Sequence, residues 1–140
     1  DIYNCVYPSS MRIAAASSAD SPLAVSIAKK TMSMIEILPG VTMKDVFERG
    51  WSPECSGGNI QIGRSPPLSS DKSKTHFPIL KKETGIEYNR MLFFDDCNWS
   101  DNCSEVARNC RGVVTQKTPN GLTLHEWKTG LEKFKSSHAI

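Results

Sequence analysis

The chain has 140 residues, the size of one domain with a single hydrophobic core. Its 17 Lys and Arg against 15 Asp and Glu leave a net charge of +2, too even for the clustered basic face that nucleic-acid binding uses. With 39% apolar and 23% charged residues, and no apolar run near the roughly 20 residues that span a bilayer, the disordered, collagen-like, coiled-coil and membrane-spanning classes are excluded.

The first element is the apolar run Met11 to Ala16, which Ser17-Ser18-Ala19-Asp20 breaks; a buried strand ending in a polar loop is expected. Asp20 or Ser21 can cap the following helix, and Pro22 suits its first turn. Leu23, Ile27 and Met34 recur at helical spacing, so they are expected to face the core, with Pro39-Gly40 stopping the helix. Trp51 to Ser70 is rich in Pro, Gly and Ser and reads as loop, with a short strand over Asn59 to Ile62. Lys72 to Thr84 is helix-like. Pro78 moves the expected start of the regular helix to about Thr75, and Gly85 ends it.

Met91-Leu92-Phe93-Phe94 is the strongest strand signal, four bulky apolar residues ending at Asp95-Asp96. A continuous run of that kind suits a parallel strand covered on both faces. Cys103, Val106, Ala107 and Cys110 have the spacing of an amphipathic helix, Gly112 to Thr115 that of a strand, and Pro119-Asn120-Gly121 that of a turn. Leu124, Trp127, Leu131 and Phe134 form the apolar stripe of a last helix. The alternation of strand and helix predicts an α/β fold with a parallel sheet.

Ligands in such sheets bind at the carboxyl ends of strands. Ser17-Ser18 and Asp95-Asp96 occupy two such ends, and Lys72 and Lys74 precede a helix. Carboxylates suit a hard divalent cation, a serine hydroxyl can donate to a phosphoryl oxygen, and a lysine can neutralise developing charge. Each piece also has a plainer reading: a solvated acidic turn, loop serines, and a lysine cluster shared with Lys81 and Lys82. His76 has no second histidine at ligand spacing, so a satisfied or solvent-facing imidazole is expected, and Cys97 beside the acids is a candidate reactive thiol whose plainer reading is packing. The cysteines (Cys5, Cys55, Cys97, Cys103, Cys110) are odd in number and include no C-x-x-C pair. Zinc and a disulfide framework are therefore not expected, and a reducing, cytoplasmic location is.

Met91 to Asp96, the Lys-Thr-His-Phe run at 74–77, Thr84-Gly85, Ala14 to Ser17 and Gly130 to Phe134 together resemble the magnesium-dependent phosphatase-1 family of the haloacid dehalogenase superfamily. The resemblance implies a Rossmann-like parallel sheet flanked by helices, forming one partial domain over 1–140 whose N-terminal part is missing. It implies Mg2+-dependent hydrolysis of phosphomonoesters, acid- or tyrosine-type, through an aspartyl-phosphate. Small phosphorylated molecules or phosphoproteins would be the substrates, with neither nucleic acid nor membrane as partner. On this resemblance Ser17 contacts the phosphoryl group, and Ser18 stands where family members often carry arginine. Asp96 binds Mg2+ with Asp95 beside it. The motif lysine falls among Lys72 and Lys74; counting back from His76 puts Ser73 at its position, and a one-residue deletion makes it Lys74, the catalytic choice, with Lys72 as a substrate contact.

The superfamily's first motif, Asp-x-Asp, occurs nowhere in this sequence. The ten residues before Met11 read as the end of a helix, so the nucleophile is expected upstream of Asp1, and the start at Asp1 suggests processing or a longer protein. The alternative is a non-catalytic pseudo-phosphatase that binds phosphate or a phosphoprotein.

Overall fold

A computed structural model describes residues 11–139. The helix end expected before Met11, and Cys5, lie outside the described residues. The chain is mixed α/β and divides into two compact units, one ending at Ser70 and the other beginning at Asp71.

In the first unit, strand β1 (Ala15–Ser17) pairs in parallel with β4 (Ile60–Ile62), Ser17 lying opposite Ile62. Between them come helix α1 (Pro22–Met34), an antiparallel pair β2 (Glu36–Leu38) and β3 (Val41–Thr42), and helix α2 (Met43–Glu48). Ser21 caps α1 by accepting the Ala24 N–H at 3.1 Å, and Pro22 fills the first turn, where its missing donor costs nothing. Buried Asn59 fastens the loop before β4, donating to the carbonyls of Ile13 and Phe47 at 3.0 and 2.8 Å.

Two expectations for this unit are corrected, and a strand pair and a helix are added to it. Helix α1 ends at Met34, and Pro39-Gly40 instead turns β2 into β3. Proline disfavours helix in the residue before it, and Gly40 at φ 74° supplies the left-handed residue the tight turn requires. The β2–β3 pair and α2 gave no periodic signal, because both are too short for one; α2 is held by a capping box between Thr42 and Asp45. Finally, Leu23 is 69% exposed, and Ile27 and Met34 are also exposed. The inward face of α1 runs through Ala24, Val25, Ala28 and Met32, of which Met32 is buried and the others half-buried. That face has helical spacing too, and its small side chains admit closer packing than the bulky set would.

In the second unit, β5 (Leu92–Asp95) pairs in parallel with β6 (Val114–Lys117), Asp95 lying opposite Lys117. Helix α3 (His76–Thr84) starts next to Thr75 and ends at Gly85, whose φ of 69° makes it the left-handed cap. It buries His76, Phe77 and Leu80, and Phe77 meets Phe93 edge to face at 4.9 Å. Helix α4 (Asn102–Asn109) is capped by Asp101 and buries Cys103 and Val106, with Cys110 buried just beyond its end; Ala107 of the expected apolar face is exposed.

Helix α5 (Leu124–Ser137) half-buries Trp127, Leu131 and Phe134, whereas Leu124, its first residue, is exposed and leaves the expected stripe. Trp127 stacks on Phe94 at 5.5 Å. Buried Gly130 explains how helix and strand come so close: a Cβ there would lie 2.6 Å from the Phe94 ring. Gly130→Ala is therefore expected to destabilise the chain by about 1–3 kcal/mol through overpacking, although alanine is intrinsically the better helix former by roughly 1 kcal/mol. Urea unfolding reads the sign. A more stable variant would mean that the Phe94 ring yields freely.

Candidate functional site

The candidate site grows from two pieces of backbone, the turn before α3 and the carboxyl end of β5. Asp71 organises the turn: its Oδ1 accepts the Ser73 N–H at 3.0 Å and the Ser73 hydroxyl at 2.6 Å, and its carbonyl accepts the Lys74 and Thr75 N–H groups. Asn109 donates to the Ser73 hydroxyl at 2.8 Å, and the Cys110 thiol donates to the Ser73 carbonyl at 3.3 Å, anchoring the turn to the end of α4. This geometry sends the two lysines in different directions. Lys74 runs along the surface, 74% exposed, and pairs with Asp71 at 3.2 Å. Lys72 passes over the Phe93 ring at 5.6 Å and ends on Asp95 Oδ2.

The Lys72–Asp95 pair is buried, with side chains 9% and 8% exposed. Removing two charges from water is costly, and only good pairing and full hydrogen bonding offset it. Asp95 has both. Its Oδ2 takes Lys72, and its Oδ1 accepts the Cys97 N–H at 2.9 Å and the Asn102 amide at 3.2 Å. Burial pushes the Asp95 carboxyl up, yet Lys72 together with the Cys97 N–H and Asn102 outweighs it and holds the group below its ordinary value. Asp96 has the opposite setting: it is exposed, and its oxygens accept the Asn98 backbone and side-chain N–H groups at 3.2 and 3.1 Å. At the rim, Lys117 bonds Asp101 at 2.8 Å, which lowers the Asp101 carboxyl to about 2.

Among the described residues no three His, Cys, Asp or Glu side chains gather as a metal cage. The oxygen donors here are the Asp95 and Asp96 carboxylates and the Asn102 Oδ1, a buried acceptor with no hydrogen-bond partner. An unpaired buried acceptor costs about 1–3 kcal/mol and asks for an explanation. A hydrated Mg2+ would provide one, because that ion takes one or two carboxylates and keeps several waters that must donate to nearby acceptors. The donor set fits that ion.

The serines belong to the first unit. Ser17 ends β1, and its carbonyl accepts the Gly63 N–H at 2.8 Å. The Ser18 carbonyl receives a fork from Arg64, through Nε at 3.0 Å and Nη2 at 2.9 Å. Reading the sequence missed Arg64 and Asn102. Arg64 sits in the loop-like tract 51–70 with no motif around it, and only the parallel pairing of β1 and β4 places a guanidinium beside Ser18. The signal for Asn102 was its position in the first turn of a helix that follows two acids. His76, read as satisfied or solvent-facing, is buried, and its Nδ1 lies 3.1 Å from the Thr75 hydroxyl.

The second unit is a parallel α/β unit with a buried lysine–aspartate pair at the carboxyl end of its strand β5. Comparison with known proteins goes further: the acid phosphatase family profile matches residues 2–137, and the chain belongs to that family. It is also 38% identical over 60 residues to human magnesium-dependent phosphatase 1, an alignment covering 43% of this chain and 32% of that protein. The chain thus matches about a third of the length of that curated relative. No solved structure matches it significantly.

Proposed function

We propose that the chain supplies the phosphate- and metal-binding part of a Mg2+-dependent phosphomonoester hydrolase with a Rossmann-like, haloacid dehalogenase-type sheet. The observation that carries this reading is the buried Lys72–Asp95 pair, with Asp96 and the unpartnered Asn102 Oδ1 beside it. Asp95 and Asp96 would hold the cation, and Asn102 would accept from one of its waters. Mg2+, when bound, supplies positive charge against the phosphoryl oxygens.

Lys72 is the better candidate for the motif lysine than Lys74. Its ammonium is already desolvated and aimed at the strand end, so it can neutralise charge developing on a phosphoryl oxygen without first reorganising. Lys74 is left on the surface as a partner of Asp71. Within the first unit, Ser17 is proposed as a hydroxyl that can donate to a phosphoryl oxygen, next to Ser18, whose carbonyl Arg64 holds. The nucleophile would be an aspartate from an upstream Asp-x-Asp segment, attacking phosphorus to give an aspartyl-phosphate that water then hydrolyses.

Small phosphorylated molecules or phosphoproteins are the proposed substrates. The cytoplasm is the proposed location, in keeping with unbridged Cys55, Cys97, Cys103 and Cys110. No helix among the described residues is long and apolar enough to cross a membrane.

A second reading, a non-catalytic binder of phosphate or a phosphoprotein, is favoured by one fact: this sequence has no Asp-x-Asp. Hydrolysis of an aryl phosphate by the protein from its natural source, with Mg2+ and with a chelator, separates the two. Turnover that the chelator abolishes is expected. Phosphate binding without turnover would favour the binder, and neither binding nor turnover would remove both.

A further inference from the structure

Among its described residues the second unit exposes three large apolar side chains, Trp99, Leu122 and Leu124, at 98%, 54% and 68%. A lone exposed leucine is ordinary, but tryptophan is highly buried on average, and a bare indole asks for a partner. The three share one place in the fold. Strands β5 and β6 are parallel, so the chain leaves both at the same end. Trp99 lies in the loop after β5, Leu122 in the loop after β6, and Leu124 opens α5 just beyond it. The two loops are tied together where they start. The Thr118 N–H donates to the Asp95 carbonyl at 2.9 Å, and Lys117 bonds Asp101 at 2.8 Å.

The backbone is braced on both sides of the indole. Asn98 donates its backbone and side-chain N–H groups to the two oxygens of Asp96, and the Asn102 N–H donates to the Ser100 carbonyl at 2.9 Å. Trp99 thus stands three residues from the exposed carboxylate of the candidate site, on the same braced loop.

We propose that Trp99, flanked by Leu122 and Leu124, is a specificity-determining residue that receives the organic part of the phosphomonoester, and that this part is apolar. The inference rests on the phosphatase reading for the anion and the cation, and adds what recognises the rest of the ester. A rigid indole buries a flat or apolar group against its face at little cost in side-chain entropy. A polyol in the same place would lose water from its hydroxyls and find hydrocarbon in exchange.

Phenylphosphonate and methylphosphonate test this directly, because both carry the same anion on a C–P bond and differ only in the organic group. Calorimetry on the full-length protein with Mg2+ is expected to show phenylphosphonate bound about tenfold more tightly. Trp99→Ala should lose most of that preference and Trp99→Phe should keep most of it. With the side chain 98% exposed, both variants should unfold in urea as the unsubstituted protein does. Equal affinities in the unsubstituted protein, or a preference that survives Trp99→Ala, would overturn the proposal and leave the phosphatase reading standing. A preference that Trp99→Ala removes, in a protein that turns over no phosphate ester, would support the role of Trp99 and refute hydrolysis. Binding of neither phosphonate would overturn both.

Discussion

Lys72→Met is expected to lower the stability of the chain by about 3–5 kcal/mol, because it strands the Asp95 carboxylate in a buried site without its counter-charge. Lys74→Met, two residues away, should change stability by less than about 1 kcal/mol, the range of exposed ion pairs. Urea unfolding of both variants at neutral pH makes the comparison, and equal losses would refute the assignment of Lys72 as the structural partner. Two controls sharpen it. Lys72→Met combined with Asp95→Asn should recover much of the loss, since replacing both charges removes the stranded one.

The pH dependence gives the second control. The folded Asp95 carboxyl lies below its ordinary value, so its contribution is fully present above the unfolded carboxylate pKa of about 3.9. That contribution is lost as pH falls through the lower folded value. The unsubstituted chain should therefore lose stability below about pH 4 more steeply than Asp95→Asn does. In Lys72→Met the stranded carboxyl should rise instead, so the deficit of that variant shrinks on acidification.

Asp96→Asn is expected to do the reverse, leaving stability within about 0.5 kcal/mol while removing function. Asp96 is exposed and its hydrogen bonds stay within its own loop, to Asn98, and asparagine keeps its size and one acceptor oxygen. If its carboxylate holds Mg2+, loss of the charge should weaken Mg2+-dependent turnover of an aryl phosphate on the order of 100-fold or more, in the protein that shows such turnover. Mg2+ titration by calorimetry on the same variant separates weaker binding from slower chemistry. Unchanged turnover would move the metal role to Asp95 and Asn102 alone.

The two acids illustrate a general limit on what spacing reveals. Asp95 and Asp96 are neighbours in an apolar-to-acidic step that the sequence marks plainly. In a strand, successive side chains point to opposite sides. At the end of β5 that alternation sends Asp95 inward onto Lys72 and Asp96 out to solvent. The sequence identified the pair, but one charge had to be buried and one left in water before their roles could be told apart. The lysines behave likewise. Counting back from His76 lands on Ser73 and reaches Lys74 only with a one-residue deletion, because a count treats the segment as a rigid ruler. The Asp71 turn is compact and held by side-chain hydrogen bonds, and it brings Lys72 inward instead.

Short-range chemistry determined much of this protein from sequence alone. Ser21 and Pro22 begin α1, Gly85 ends α3, and Leu92 to Asp95 form the strand that delivers the acids, because caps, left-handed glycines and apolar runs act within a few residues. The tertiary structure decided what depends on packing between distant segments. It chose the Ala24, Val25, Ala28 and Met32 face of α1 over the bulkier one, and it set Gly130 against Phe94. It also placed Arg64 beside Ser18 and left Asn102 Oδ1 buried without a partner. Periodicity shows that a helix or strand has a face; which face is buried depends on the shape of the surface it meets, and that surface comes from elsewhere in the chain.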